Sequence, residues 1–300
     1  MIDLAGIWSL RDEHGEYACD MPIPGDAHSA LLTAGLIPDP YVGRNELAVR
    51  GLADRDWVAS RTFVWDGDHA GITWYLDVDF LDTVTEIHLN GQKVETAQNT
   101  FRRYRRDVSR VLKPGENHIE IQFKSNTRAA TTLAKELPYK IPYIVQNCPI
   151  PDGNMLRKPQ CHFGWDWNLA IAPFGLYGRI KLQKMDAARI EHVQTHQLHN
   201  ADGSVDVEVV VTLTGSVTSE VPIAVNLSAA RLSSSGLSRG SIVQRAPGSV
   251  EEWILGTSPR MTDSGRLSRG NISYSSVLRV ADPRFWWPVG QGRANSISMT

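Results

Sequence analysis

Apolar and polar residues alternate through most of this chain, which is the period of strands. The segments Ile72–Asp79, Thr83–Leu89 and the run HIEIQF from His118 to Phe123 all alternate, with β-branched or aromatic residues on one side. Ile190–His199 and Val205–Leu213 repeat the pattern further on. Each predicts a strand, because successive side chains of a strand face opposite sides of a sheet. Turn chemistry separates the runs. Asn90–Gly91 follows TVTEIHL directly and suits the positive φ angles of a type I′ hairpin, with QKV as the returning strand. Pro114–Gly115–Glu116–Asn117 and Asn200–Ala201–Asp202–Gly203 predict two more turns.

Helical signal is confined to short pieces. Asp26 is a candidate cap for AHSALLTAGLI, with Leu31, Leu32 and Leu36 on one face and Gly35 near the end. Asn126 or Thr127 would cap RAATTLAKEL, which Pro138 stops. Many strands, few helices and no βαβ rhythm predict an all-β fold of sandwiches. A boundary near Lys184–Arg189 divides the chain into a first domain at 1–185 and a second at 186–300, sizes that suit single sandwiches. From Ser228 to Ser276 the alternation nearly vanishes and SSGLSRG and SGRLSRG recur in a Ser, Gly and Arg background. A shifted reading frame across 228–276 and again across 293–300 is the expectation there, leaving the second sandwich incomplete.

Composition narrows the class. The 300 residues are 42% hydrophobic and 21% charged, with a formal net charge of −2. That is globular composition without the basic excess of a nucleic-acid binder. No run approaches the ~18 apolar residues of a membrane helix. The N-terminus lacks the basic start and apolar core of a signal peptide. Three scattered cysteines, Cys19, Cys148 and Cys161, do not make a disulfide framework. A soluble, cytoplasmic protein is the expectation.

Three apparent motifs carry less than they suggest. FRRYRR at Phe101–Arg106 looks like a nucleic-acid stripe, but on a strand its arginines divide between two faces, so a solvated or ion-paired strand is the better reading. His192, His196 and His199 would need to meet around one ion. On a strand the first two lie about 13 Å apart and the third faces the other way, so no metal is predicted. Pro24–Gly25–Asp26 and Pro38–Asp39–Pro40 are turn chemistry first.

HFGWDW at His162–Trp167 is the segment with chemistry in it. A carboxylate between two indoles suits a sugar, because Asp accepts hydrogen bonds from two hydroxyls while an indole covers the apolar face of the ring. Taken alone, a buried Trp cluster with a turn-forming Asp is the commoner explanation for such residues.

The wider series of motifs resembles the β-mannosidases of glycoside hydrolase family 2. It comprises Ile23–Glu46 (IPGDAHSALLTAGLIPDPYVGRNE), Asp56–Phe63 (DWVASRTF), Leu81–Val94 (LDTVTEIHLNGQKV) and Asn99–Asn117 (NTFRRYRRDVSRVLKPGEN). Arg157–Trp167 (RKPQCHFGWDW) and Asp282–Gly292 (DPRFWWPVGQG) complete it in the family's order. The resemblance departs where the family continues WDW with Gly–Pro and this chain has Asn168–Leu169. It departs again at Phe174–Gly175–Leu176–Tyr177, where a GIW-type segment is usual.

The resemblance implies a jelly-roll, galactose-binding-like sandwich, then an immunoglobulin-like sandwich, then a TIM barrel that lies outside this chain. It also implies the activity: hydrolysis of terminal non-reducing β-D-mannose residues with retention, by two carboxyl groups of the barrel. By the same resemblance Asp166 would bind hydroxyls of the terminal mannose, Trp165 would wall that subsite and Trp167 would anchor the loop. No catalytic residue and no cofactor falls in this chain, which alone is expected to be inactive. Its implied partners are a β-mannoside or manno-oligosaccharide and the barrel. A stand-alone carbohydrate-binding module is the alternative, distinguished by measurable affinity for manno-oligosaccharides without the barrel.

Overall fold

The computed structural model describes residues 1–67, 72–142, 146, 148–164, 168–185, 189–214, 227–230, 272–280 and 296–299. It divides into two compact units, Met1–Met185 and Asp186–Thr300.

The first unit opens with β1 (Ile2–Asp3), β2 (Gly6–Asp12), β3 (Ala18–Ile23) and β4 (Gly25–Asp26), followed by helices α1 (Ala27–Thr33) and α2 (Asn45–Val49). A run of strands comes next: β5 (Trp57–Trp65), β6 (Thr73–Val78), β7 (Leu81–Asp82), β8 (Thr85–Leu89), β9 (Gln92–Ala97), β10 (Tyr104–Asp107) and β11 (Gly115–Phe123). Helix α3 (Asn126–Glu136), β12 (Gly175–Leu176) and β13 (Ile180–Met185) complete it. Three sheets result, with strand orders β3-β2-β5-β11-β8-β9, β1-β13-β6-β10 and the short β4-β12-β7. The pairs within them are antiparallel.

Alternation explains the core. On β11, Asn117, Ile119, Ile121 and Phe123 are buried and the residues between them are not. Ile121 stands opposite Ala59 of β5 and Ile87 of β8, so one apolar face runs across three strands. Leu76 and Val78 of β6 and Ile180 and Leu182 of β13 supply the facing layer of the same cluster. Four tryptophans belong to this core: Trp8, Trp57, Trp65 and Trp74. Burying an indole requires a partner for its N–H. Trp8 donates to the carbonyl of Leu4 at 2.9 Å and Trp57 to that of Leu52 at 3.0 Å. Trp65 and Trp74 meet edge to face, 5.7 Å between centroids.

The Asn90–Gly91 hairpin forms, with φ of 51° and 78°. The Asn90 side chain also donates to the carbonyl of Val111 and to Oδ1 of Asn117, both at 2.8 Å. Asp26 caps α1, accepting from the Ser29 N–H at 2.9 Å. That helix is shorter than its leucines suggest. It stops at Thr33, Gly35 takes φ of 70°, and of the three leucines only Leu31 is buried. The cap of α3 is Ser125, one residue before the expected positions, and its hydroxyl accepts from the Arg128 N–H. Asn126 instead turns inward and donates to the carbonyl of Ala172.

Three of the four FRRYRR arginines make ion pairs among the described residues. Arg103 bonds Asp79 at 2.7 Å, Arg105 forks onto the buried Asp77, and Arg106 reaches the buried Glu95 at 2.7 Å.

In the second unit, β14 (Arg189–His199), β15 (Val205–Thr214), β16 (Leu227–Ala230), β17 (Ile272–Val280) and β18 (Ser296–Met299) follow. β15 lies between β14 and β17, and β16 pairs with β18. Val205, Val207, Val209, Val211 and Leu213 bury one face of β15, as the alternation predicts. His192, His196 and His199 are spread along β14 in exposed positions. Most of the stretch read as scrambled, 231–271, lies outside the described residues, as does Asp282–Gly292. Its flanks are strands, since ladder pairing uses backbone groups and needs no alternation.

Candidate functional site

Trp165, Asp166 and Trp167 lie outside the described residues. The two legs leading to them, 158–164 and 168–173, are described, and they end on a buried polar cluster at the β4-β12-β7 sheet. Gly175 of β12 stands opposite both Asp26 of β4 and Asp82 of β7. It must be glycine, because a Cβ there would fall 2.3 Å from the carbonyl oxygen of Gly25 and 2.6 Å from Cα of Asp26. The close approach brings the two aspartates to the same end of the unit.

Asp82 and Lys158 form the centre of the cluster, and neither side chain is exposed at all. Nζ of Lys158 lies 3.1 Å from Oδ1 of Asp82 and donates to the carbonyl of Pro173 at 2.6 Å. It also sits 5.6 Å from the centre of the Phe163 ring. Oδ1 of Asp82 accepts from the Thr100 hydroxyl at 3.0 Å. Nδ1 of His162 stands 3.4 Å from Oδ2 of Asp82. Burial pulls the Lys158 ammonium below its usual range, while the Asp82 carboxylate opposes that shift. An ion pair so placed loses two hydration shells. It persists only where further hydrogen bonds satisfy it, as Thr100 and Pro173 do here.

His28 of α1 lies in the same neighbourhood, its ring edge-on to Phe174 at 5.9 Å. Burial lowers its pKa to about 4. The Asp26 carboxylate pulls the other way, while Lys158 and His162 reinforce the fall. Neither ring nitrogen of His28 finds a hydrogen-bond partner among the described residues. Tyr177 stands with its ring 6.4 Å from that of His162 and is 38% exposed; desolvation of its hydroxyl, with Asp26 and Asp82 nearby, raises the phenol above its ordinary pKa.

The legs are held at a second point. Phe163 and Ala170 form an antiparallel bridge, and the Ala172 N–H donates to the His162 carbonyl at 2.8 Å. The Ala170 N–H donates to Oε1 of Glu46, and its carbonyl accepts from Nε of Arg50 at 3.0 Å. Glu46 and Arg50 are themselves paired at 2.7 Å. Gly164, the last residue of the first leg, has φ of 122°, a backbone state open to glycine. Gly153 lies against the Phe163 ring, where a Cβ would come within 2.4 Å of a ring carbon.

This arrangement can hold the two legs. Among the described residues of the unit the buried carboxylates are Asp12, Asp77, Asp82 and Glu95, and each has a basic partner: Arg55, Arg105, Lys158 and Arg106 respectively. Sequence reading noted Lys158 and His162 only as neighbours of the WDW motif. Asp82, Thr100 and His28 fall inside the motif segments Leu81–Val94, Asn99–Asn117 and Ile23–Glu46, but no local spacing pairs a lysine with an aspartate far earlier in the chain.

Comparison with known proteins agrees with the motif series. A probable β-mannosidase of Caenorhabditis elegans is 30% identical over 61% of this chain and 21% of its own length. The β-mannosidase of Bos taurus is 31% identical over 64% of this chain and 22% of its own. β-Mannosidase A of Aspergillus aculeatus is 29% identical over 98% of this chain and 31% of its own. The crystal structure of a β-D-mannosidase from Dictyoglomus thermophilum shares the fold, with a TM-score of 0.72 at 24% identity over 99% of this chain and 33% of that one. The chain thus spans about a fifth to a third of these relatives, at their N-terminal part. The family described as glycosyl hydrolase 2 galactose-binding domain-like matches residues 8–178, more than half of the chain, and this protein belongs to it.

Proposed function

We propose that this chain is the N-terminal, non-catalytic portion of a retaining β-mannosidase acting on terminal non-reducing β-D-mannose. In this reading Asp166 and Trp165 complete the mannose subsite of a catalytic barrel supplied by the rest of the protein. The observation that carries it is the match to β-mannosidases of which the chain spans only a part. Retaining hydrolysis needs two carboxyl groups about 5 Å apart, one free to protonate the leaving oxygen and one free to attack the anomeric carbon. The buried acids among the described residues of the first unit are tied to basic side chains, which supports a source for that pair elsewhere. In this reading the unit would offer the Asp166 carboxylate for hydroxyls and the Trp165 indole for the apolar sugar face, between two legs held by hydrogen bonds. The second unit, with its antiparallel β14-β15-β17 sheet, would be an immunoglobulin-like sandwich.

The test is an Asp166→Ala variant of the chain joined to its catalytic portion, assayed on a β-mannoside reporter. A fall in kcat/KM of about 100-fold or more is expected, since a lost charged contact to a hydroxyl leaves that hydroxyl unpaired. Parental activity would overturn the subsite role. Calorimetric titration of the isolated chain with a manno-oligosaccharide should give no measurable heat, because one wall buries too little of a sugar. Measurable binding would favour the stand-alone module instead.

A further inference from the structure

We infer that Lys158 is a positioning residue for the two legs, 158–164 and 168–173, that flank Trp165 and Asp166 in the chain. Its buried ammonium ties both legs to Asp82 of β7. The importance of the loop rests on the function proposed above, whereas the tie itself rests on geometry.

Lys158 stands at the start of the first leg, with the Phe163 ring of that leg 5.6 Å from its ammonium. The same ammonium donates to the carbonyl of Pro173, at the end of the second leg. Its counter-ion, Asp82, belongs to β7, which pairs with β12 directly after the second leg. One cation therefore holds the entry, the exit and the sheet in a fixed relation. A neutral side chain of similar length would fill the space without making the bond to Pro173. Asp82 is in turn fixed by Thr100, whose N–H donates to the carbonyl of Arg157, the residue before Lys158. The network closes on itself within a few residues of the loop.

The alternative is that the pair only stabilises the unit, and the two roles respond differently to removing both charges. A buried pair replaced by uncharged residues of similar size is often neutral for stability, whereas removing one partner is strongly destabilising. The experiment compares parent, Lys158→Met and the double variant Lys158→Met/Asp82→Asn in the full 300-residue chain. It reads amide hydrogen exchange by NMR together with thermal melting. The Ala172 N–H, which crosses between the legs, reports the loop base, and the Ile121 N–H at the middle of β11 reports the core.

The double variant is expected to melt near the parent and to keep Ile121 protection, while exchange at Ala172 rises at least about tenfold. Parental exchange at Ala172 in a stable double variant would overturn the inference. A double variant that does not fold would also overturn it, because the pair would then hold the whole unit and not the loop. No sugar enters this readout, so its failure is separate from that of the mannoside assay.

Discussion

Oδ2 of Asp12, at the end of β2, accepts a hydrogen bond from Nη1 of Arg55 at 2.7 Å, and the Asp12 side chain is completely buried. The Tyr17 N–H donates to the other carboxylate oxygen at 2.9 Å, closing the β2–β3 turn over it. Burial raises the carboxyl pKa, but the Tyr17 N–H and the Arg55 guanidinium more than offset this, and it sits below its ordinary value. The folded state therefore holds this proton less tightly than the unfolded chain. The stabilisation is present above the ordinary pKa of 3.8 and is lost as pH falls through the folded value. Asp12→Asn should lower stability at pH 7 by about 2 to 4 kcal/mol in urea titrations. The gap to the parent should shrink in acid below the ordinary carboxylate pKa. A gap that stays constant to pH 3 would contradict this assignment. Six of the nine tryptophans lie in Met1–Met185, so their fluorescence follows that unit.

His28 acts in a different pH window. Its pKa falls from 6.5 to about 4 on folding, so between those values the unfolded chain binds the extra proton. Stability should be undiminished above pH 6.5 and should decline steadily down to about pH 4, by on the order of 3 kcal/mol. A His28→Phe variant should lose that slope, whatever its stability at neutral pH. Urea midpoints measured from pH 7 to pH 4 decide it: equal slopes in parent and variant would refute the buried neutral imidazole.

Gly175 and Gly51 make a matched pair of substitutions. A Cβ on Gly175 meets backbone atoms of Gly25 and Asp26 that cannot move independently, whereas one on Gly51 meets only Oδ2 of Asp54 at 4.0 Å. Gly175→Ala should cost about 3 kcal/mol or more. Gly51→Ala should be neutral or stabilising by about 0.5 kcal/mol, because it restricts the unfolded chain. Thermal melts of the two variants provide the comparison, and equal effects would remove the close approach as the reason for glycine at 175.

Glu46 and Arg50 hold Ala170 by its N–H and carbonyl respectively. Glu46→Ala should release the Ala170 amide to faster exchange while costing the unit only about 1 kcal/mol, the net worth of an ordinary hydrogen bond. Exchange at Ala170 that matches the parent would show that the bridge to Phe163 holds the leg without Glu46.

Much of the strand pattern in both units was legible in the alternation. β8, β9, β11 and β15 appear where the pattern puts them, since one buried face imposes a period of two on the strand that forms it. The Asn90–Gly91 turn and the Asp26 cap were equally local, because each depends on the φ preference or side-chain reach of one or two residues. Where the reading slipped, a distant contact intervened. Asn126 looked like a cap, but the carbonyl of Ala172 takes its amide, and Ser125 caps α3 in its place.

By itself the sequence determined an all-β chain, a hairpin, two helices, one of them with its cap, and a motif series that names a family. Those properties are set by neighbours along the chain. Only the tertiary structure decided which strand lies beside which, and that Asp82, Thr100, Lys158, His162 and Pro173 converge where the two legs meet the β4-β12-β7 sheet. Alternation tells whether a side chain faces inward but not what it meets there. A buried charge is tolerable only with its partner in place, and that partner is chosen by sheet order and loop closure.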